Sequence, residues 1–228
     1  MAKTLTKNKT KARKAAPAKA SVKKAPVKKT AAKATIKVPK KVALRRHASA
    51  PQGRASAGGT GIAASAIRDR AIAHVKFSHE SVNNFTKGFD RAQATAQAPG
   101  NPNHVVWTLG HLASYYHWFA NCVDGKGSRP PEGYEKIFGM GTKPSDNPAE
   151  YPALEEVTTE FAAGLNRMVS AAATLTQDTL FAAPAQDTGG WVTDRLDAVL
   201  KAAWHNGWHV GQLASLRKSL GMTPMFGG

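Results

Sequence analysis

The sequence holds a single cysteine, Cys122, among its 228 residues. One thiol cannot close an intramolecular disulfide, and it excludes zinc ribbons and thiolate clusters within one chain. No apolar run approaches the ~20 residues that a membrane-crossing helix needs. The basic N-terminus lacks the apolar stretch of a secretory signal. It also lacks the amphipathic stripe of a transit peptide, being Lys-rich and broken by Pro17, Pro26 and Pro39. The expected location is therefore the cytoplasm, with no membrane partner.

Negative charge is missing from one part of the chain altogether. Residues 1–54 carry 18 Lys or Arg and no Asp or Glu, whereas residues 55–228 carry the other 14 bases and all 15 acids. The overall +17 thus belongs to a polycationic tail on a near-neutral body. The tail, as in KAAPAKASVKKAPVKKTAAKATIKVPKK, has few large apolar side chains to offset the entropy of ordering its backbone, so residues 1–61 are expected to be a disordered tail and linker. Its Lys pairs, Lys23–Lys24, Lys28–Lys29 and Lys40–Lys41, need no fixed geometry to hold a polyanion; they only need to displace counterions from it. No aromatic is interleaved to stack on bases, so binding to nucleic acid would be non-specific. In composition the segment resembles the Lys-Ala-Pro tails of linker histones and bacterial histone-like proteins. Residues 48–61, with Gly53, Gly58, Gly59 and Gly61, read as a linker, and 223–228 as a short C-terminal tail.

The body shows no β-branched alternation and reads as all-α, a four-helix bundle over residues 62–222. Ile67, Ala71, Val75, Ser78, Val82, Phe85 and Phe89 recur in steps of three and four, predicting one helix from Ile62 to about Gln97. Asn101 or Asn103 can cap a second helix running to about Val123. The stretch 125–150, rich in Pro and Gly, reads as a crossover loop. A third helix is expected from about Pro152 to Thr176, with Glu155, Glu156 and Glu160 near its positive end. A fourth runs from a Thr193 cap to Leu220, stopped by Gly221.

His205 and His209 stand four residues apart on one predicted helix, a spacing that aims two imidazoles in one direction and suits adjacent positions on a metal. The same face continues with Gln212 and Leu216, while Trp204 and Trp208 form a parallel row able to shut water from one side. Gly207, in mid-helix, suggests close approach of another helix or a ligand. No Glu adjoins His205, so the HExxH protease mechanism does not apply. His47 falls in the tail, and His74 and His79 read as ordinary surface or boundary residues.

The segment AWHNGWHVGQLASLRKSLGM resembles the last helix of the DinB-like (DinB/YfiT-type) family, with its H-x3-H-x-G-Q-L pattern. HVVWTLGHLASYYHWF resembles that family's second helix, where a Trp precedes a His by one turn. The order of elements from about residue 62 to 222 agrees as well. The resemblance implies a bundle binding a divalent metal, zinc or nickel, through His111, His205 and His209. The residues are compatible with this: His104, Trp107, His111, Ser114, Tyr115 and Trp118 share one face of the second helix. Trp107, Tyr115, Trp208 and Gln212 are then candidates for the surrounding pocket. His104, two turns earlier, is the rival ligand, and His117 lies off the face as a hydrogen-bonded boundary residue. Gly110 suggests tight packing beside His111, and Cys122 a small buried side chain.

Three neutral imidazoles with an open position make a catalytic rather than a structural site. Relatives that use a low-molecular-weight thiol imply a thiol transferase acting on an electrophile, with metal-dependent hydrolysis as the alternative. The catalytic residue is not identified, and no carboxylate stands at a diagnostic spacing; Glu80, Glu156 and Glu160 are candidate bases only because their helices complete the bundle. The competing class is a non-enzymatic, nucleoid-associated factor whose bundle senses metal or forms a homodimer.

Overall fold

A computed structural model describes residues 62–226. The tail lysines Lys23, Lys24, Lys28, Lys29, Lys40 and Lys41, the linker up to Gly61 and the last two residues lie outside them. The described residues form helices and turns without a strand; one isolated bridge joins Ala98 to Asn101. Four long helices, α1 (Ala64–Thr86), α2 (Val105–Asp124), α4 (Leu154–Ala173) and α5 (Arg195–Ser219), are joined by a short helix α3 (Tyr134–Phe138) and two 3-10 turns. None of the described helices is long and apolar enough to cross a membrane.

Helix α2 packs against α4 and α5, and α1 against α5 and α4, so the four long helices enclose one core. Fifteen of the twenty α2 residues are buried, which makes α2 the central element. On α4 the buried Val157, Phe161, Gly164 and Met168 recur in steps of three and four. Gly164 permits the crossing, because a Cβ there would stand 3.1 Å from the Ala113 carbonyl and the Tyr116 Cβ.

Helix α1 is shorter than its hydrophobic pattern predicts. Lys87 turns extended and Gly88 takes φ +80°, a left-handed conformation that breaks the ladder. Phe89 is still buried, but from the turn beyond, with the Arg217 guanidinium 5.4 Å above its ring. Arg217 also donates to the Phe85 and Lys87 carbonyls at 3.3 and 2.6 Å, satisfying acceptors at the end of α1.

Two caps differ from expectation. His104, rather than Asn101 or Asn103, caps α2: its Nδ1 accepts from the Trp107 N–H at 3.1 Å. The two asparagines instead tie this corner to α5, donating to the Gln212 carbonyl (2.8 Å) and the Gln212 Oε1 (3.1 Å). Asp194, rather than Thr193, caps α5 by accepting from the Asp197 N–H at 2.8 Å. A carboxylate there also faces the positive end of the helix dipole, which a hydroxyl cannot exploit.

The crossover between α2 and α4 is more structured than a loop. Its helix α3 buries Tyr134 and Phe138. Gly110 makes room for the latter, since a Cβ there would lie 2.6 Å from the Phe138 ring. The tight packing expected at Gly110 is thus present, and the neighbour is α3.

Candidate metal centre

Helix α2 brings His111 to the bundle interior, and α5 brings His205 and His209 one turn apart on its inner face. Their ring centroids lie 4.8–5.1 Å from one another. The His205 Nε2 is 3.3 Å from the His111 Nε2 and 3.2 Å from the His209 Nε2. The three ring nitrogens all lie within 4.8 Å of one another. Bonds of about 2.0–2.1 Å to a tetrahedral ion would set neighbouring nitrogens about 3.4 Å apart, so the observed spacing fits such an ion with little movement.

The protonation pattern agrees. The Nδ1 of His111 lies 2.7 Å from the Phe138 carbonyl, which can only accept, so the ring proton sits on Nδ1 and the Nε2 lone pair points inward. Phe138 is thus positioned twice over, by its ring against Gly110 and by its carbonyl against His111. Trp107 stacks on the His111 ring at 4.5 Å and anchors its own indole N–H on the Thr142 hydroxyl at 2.9 Å. Tyr115 lies 4.6 Å from the His111 ring and 4.7 Å from that of His205. It is half-buried, and burial raises its pKa, so it stays a neutral phenol able to donate a hydrogen bond.

Burial depresses all three histidine pKa values. His205 falls to about 2, through burial first and then the neighbouring His209 and His111, and His209 falls to about 3. That of His111 is also lowered, against the opposing pull of the Phe138 carbonyl. The site therefore presents neutral imidazoles, the form a metal requires. Gln212 lies close enough to favour a protonated His209 slightly, yet the His209 Nδ1 is buried without a partner of hydrogen-bonding geometry. The Gln212 Oε1 instead accepts from the Asn103 amide at 3.1 Å.

A buried polar chain sets the register of α5. Asn206, beside His205, donates to the Ser78 hydroxyl at 2.9 Å and to the Tyr116 hydroxyl at 2.7 Å. Tyr116 in turn lies 3.3 Å from the Nδ1 of His79. One proton assignment satisfies the chain: Asn206 donates to Tyr116, and Tyr116 donates to His79. Sliding α5 along its neighbours would orphan these buried groups at about 1–3 kcal/mol each. His79 is accordingly a core residue, 5% exposed and stacked on Phe161 at 4.1 Å, and not the surface or boundary residue expected. His74 is exposed as expected.

Several candidates stand elsewhere. His104 is fully buried but occupied as the α2 cap, outside the cluster, so it is not the third member. Trp204 and Trp208 meet each other at 5.4 Å and remain 54% and 58% exposed; they do not seal the cluster. Gly207 faces open space, so no close approach explains it. Glu80 and Glu156 are exposed, and Glu160 is held by His117 at 3.1 Å, which leaves no candidate base at the trio. His117 is hydrogen-bonded at both nitrogens, as expected of a satisfied residue. Cys122 is fully buried, and burial raises its thiol to about pH 11, an inert group.

The buried histidines make stability depend on pH. His79 and His104 are held down to about 4, and the trio lies lower still or in the same direction, while the unfolded chain protonates near 6.5. Their contribution is complete above pH 6.5 and is lost as the pH falls toward the folded values. Each can cost up to about 1.4 kcal/mol per pH unit in that window. Thermal unfolding in chelator should show Tm lower by about 10 °C or more at pH 5.5 than at pH 7.5. An unchanged Tm would mean that these rings are solvated.

A helical bundle with three clustered histidines from two helices defines a class: bundle proteins with a cluster that could hold a metal ion. The pattern of the DinB superfamily matches residues 74–213, and the chain belongs to that superfamily. No curated protein matches the chain. The cluster of His111, His205 and His209 could hold a divalent metal.

Proposed function

We propose that His111, His205 and His209 hold a divalent ion, zinc or nickel, and that the protein is a metal-dependent enzyme of the low-molecular-weight-thiol transferase type. One observation carries the reading: the His205 Nε2 lies 3.2–3.3 Å from the Nε2 atoms of His111 and His209, all within 4.8 Å of one another, while His205, the least buried of the three, leaves one side approachable. The all-nitrogen donor set suits a borderline ion over calcium or magnesium, which take oxygen ligands. Bound there, the ion would supply Lewis acidity, drawing the pKa of a thiol or water toward neutrality. The chain's own residues do the rest. The Phe138 carbonyl fixes the His111 tautomer, Trp107 covers that ring, and the Tyr115 phenol offers a donor beside the open side.

Residues 1–54, in this reading, bind nucleic acid without sequence preference and place the enzyme on the cytoplasmic nucleoid. The charge count supports this part, with 18 bases and no acid.

Full-length protein loaded with cobalt tests the chemistry. Added low-molecular-weight thiol should shift its visible absorption, and His111→Ala should lose that response. A spectrum indifferent to every thiol, together with metal-dependent hydrolysis of an activated ester, would replace the transferase reading with the hydrolase one. A cobalt protein inert to both would favour a non-enzymatic, metal-sensing or dimeric factor.

A further inference from the structure

The stretch after α2 places a serine against a histidine and a carboxylate, none of them a member of the three-histidine cluster, in a cavity that shares Tyr115 with it. The Ser128 Oγ lies 2.5 Å from the Nδ1 of His117, and the Nε2 of His117 lies 3.1 Å from the Glu160 Oε1. The three groups come from separate parts of the fold: the segment after α2, α2 itself and α4. The carboxylate can only accept, so the His117 proton resides on Nε2 and Nδ1 is left to accept from the Ser128 hydroxyl. That is the order of a nucleophile, a base and a group that orients the base, with the two ring nitrogens exchanged relative to serine proteases.

Burial and support match this order. His117 and Glu160 are mostly buried, with side chains 11% and 20% exposed. Ser128 is only half-buried and lines a cavity of about 400 Å³, a volume within the range of small-molecule sites. Its backbone is clamped on both sides by Asn121, which accepts from the Ser128 N–H and donates to the Ser128 carbonyl, each at 2.8 Å. Arg129, the next residue, lines the same cavity and supplies a cation to it. Trp118, Tyr115 and Pro130 supply apolar wall. Glu160 does not line the cavity; it stands behind the imidazole.

The geometry points to a second site, a serine acyl-transfer centre formed by Ser128 and His117 with Glu160 as positioning residue, acting on small carboxylic esters. The Ser128 Oγ forms a bond to the ester carbonyl carbon while its proton passes to the His117 Nδ1. The C–O bond to the leaving alcohol then breaks, and that alcohol takes the proton from His117. Water, deprotonated by the same Nδ1, cleaves the acyl–Ser128 bond, and the acid leaves with serine restored. Glu160 stabilises the imidazolium in each half without itself taking a proton. No metal ion enters these steps.

A fluorophosphonate probe tests the site in full-length protein, because the Oγ–P bond forms as fluoride leaves and the adduct persists. Peptide mapping of the wild-type chain should find the adduct on Ser128, and Ser128→Ala should lose it. His117→Gln should slow labelling about a hundredfold. Glu160→Gln should slow it about tenfold at unchanged Tm, with Glu160→Asp restoring most of the rate. Hydrolysis of p-nitrophenyl acetate should follow the same order and be unaltered by added zinc. An unlabelled Ser128 in the wild-type chain overturns the proposal. So does a rate equal in wild type and His117→Gln, and either result would make the chain a staple that fastens the segment to α2. Because the mapping uses the wild-type protein, a variant that fails to fold does not blunt the test.

Discussion

Full-length wild-type protein should carry about one divalent ion per chain after purification, and His209→Ala should lose nearly all of it. Two nitrogens remain in that variant, from His111 and His205, and a tetrahedral ion held by two side chains gives up a large part of its binding energy. His117→Ala should keep its metal, because that ring is bound to Ser128 and Glu160 instead. The contrast separates ligation from general damage, since both substitutions remove a buried imidazole. In the wild type, metal should be released as the pH falls below roughly 6, because protons compete for the same Nε2 lone pairs. Metal analysis of the three proteins at pH 7.5 and 5 checks all of this. Equal metal in wild type and His209→Ala would sink the assignment of the centre.

Removing residues 1–54 should abolish binding to duplex DNA without altering metal content. Those residues hold 18 of the 32 basic side chains, and what remains is near neutral, with 14 bases against 15 acids. Contact with eight phosphates would give a log–log salt slope of about −7, or about a 10⁴-fold loss of affinity between 50 and 200 mM salt. Duplexes of unrelated sequence should bind alike, since lysine–phosphate contacts carry no base information. Anisotropy titrations of both proteins at three salt concentrations decide the matter. Should the truncated protein still bind, the bundle would be the nucleic-acid module, and the enzymatic reading would lose ground to the non-enzymatic one.

Much of the bundle was legible from residue spacing and helix breakers. Steps of three and four located α1, because a helix that buries one face must repeat apolar side chains near its own pitch, while Pro and Gly breaks and cap candidates located α2, α4 and α5. The ends were less legible. Phe89 continues the α1 pattern yet is buried from a turn, and periodicity cannot tell these two routes to the core apart. The α2 cap went to His104 because an imidazole nitrogen can accept from the Trp107 N–H, a use of histidine that cap preferences rank below asparagine. Trp208 shares a helix with the histidines, and only the packing of α1 and α2 against α5 determines which of its faces is inside.

By itself the sequence determined the charge division at residue 54, the helical class and the aligned pair His205 and His209, since each is local and depends on composition or on one helix's pitch. Tertiary structure decided which α2 histidine joins the pair. His104 caps α2, His111 and His117 lie on it, and all three are buried, but only His111 faces α5 with its outer nitrogen held by Phe138. It also decided that His79 belongs to the core, through a hydrogen-bonded chain joining α1, α2 and α5, and that Ser128, His117 and Glu160 meet. Each of these convergences spans helices, and the angles and offsets between helices arise from side chains packing across the whole bundle. No window of sequence contains that information.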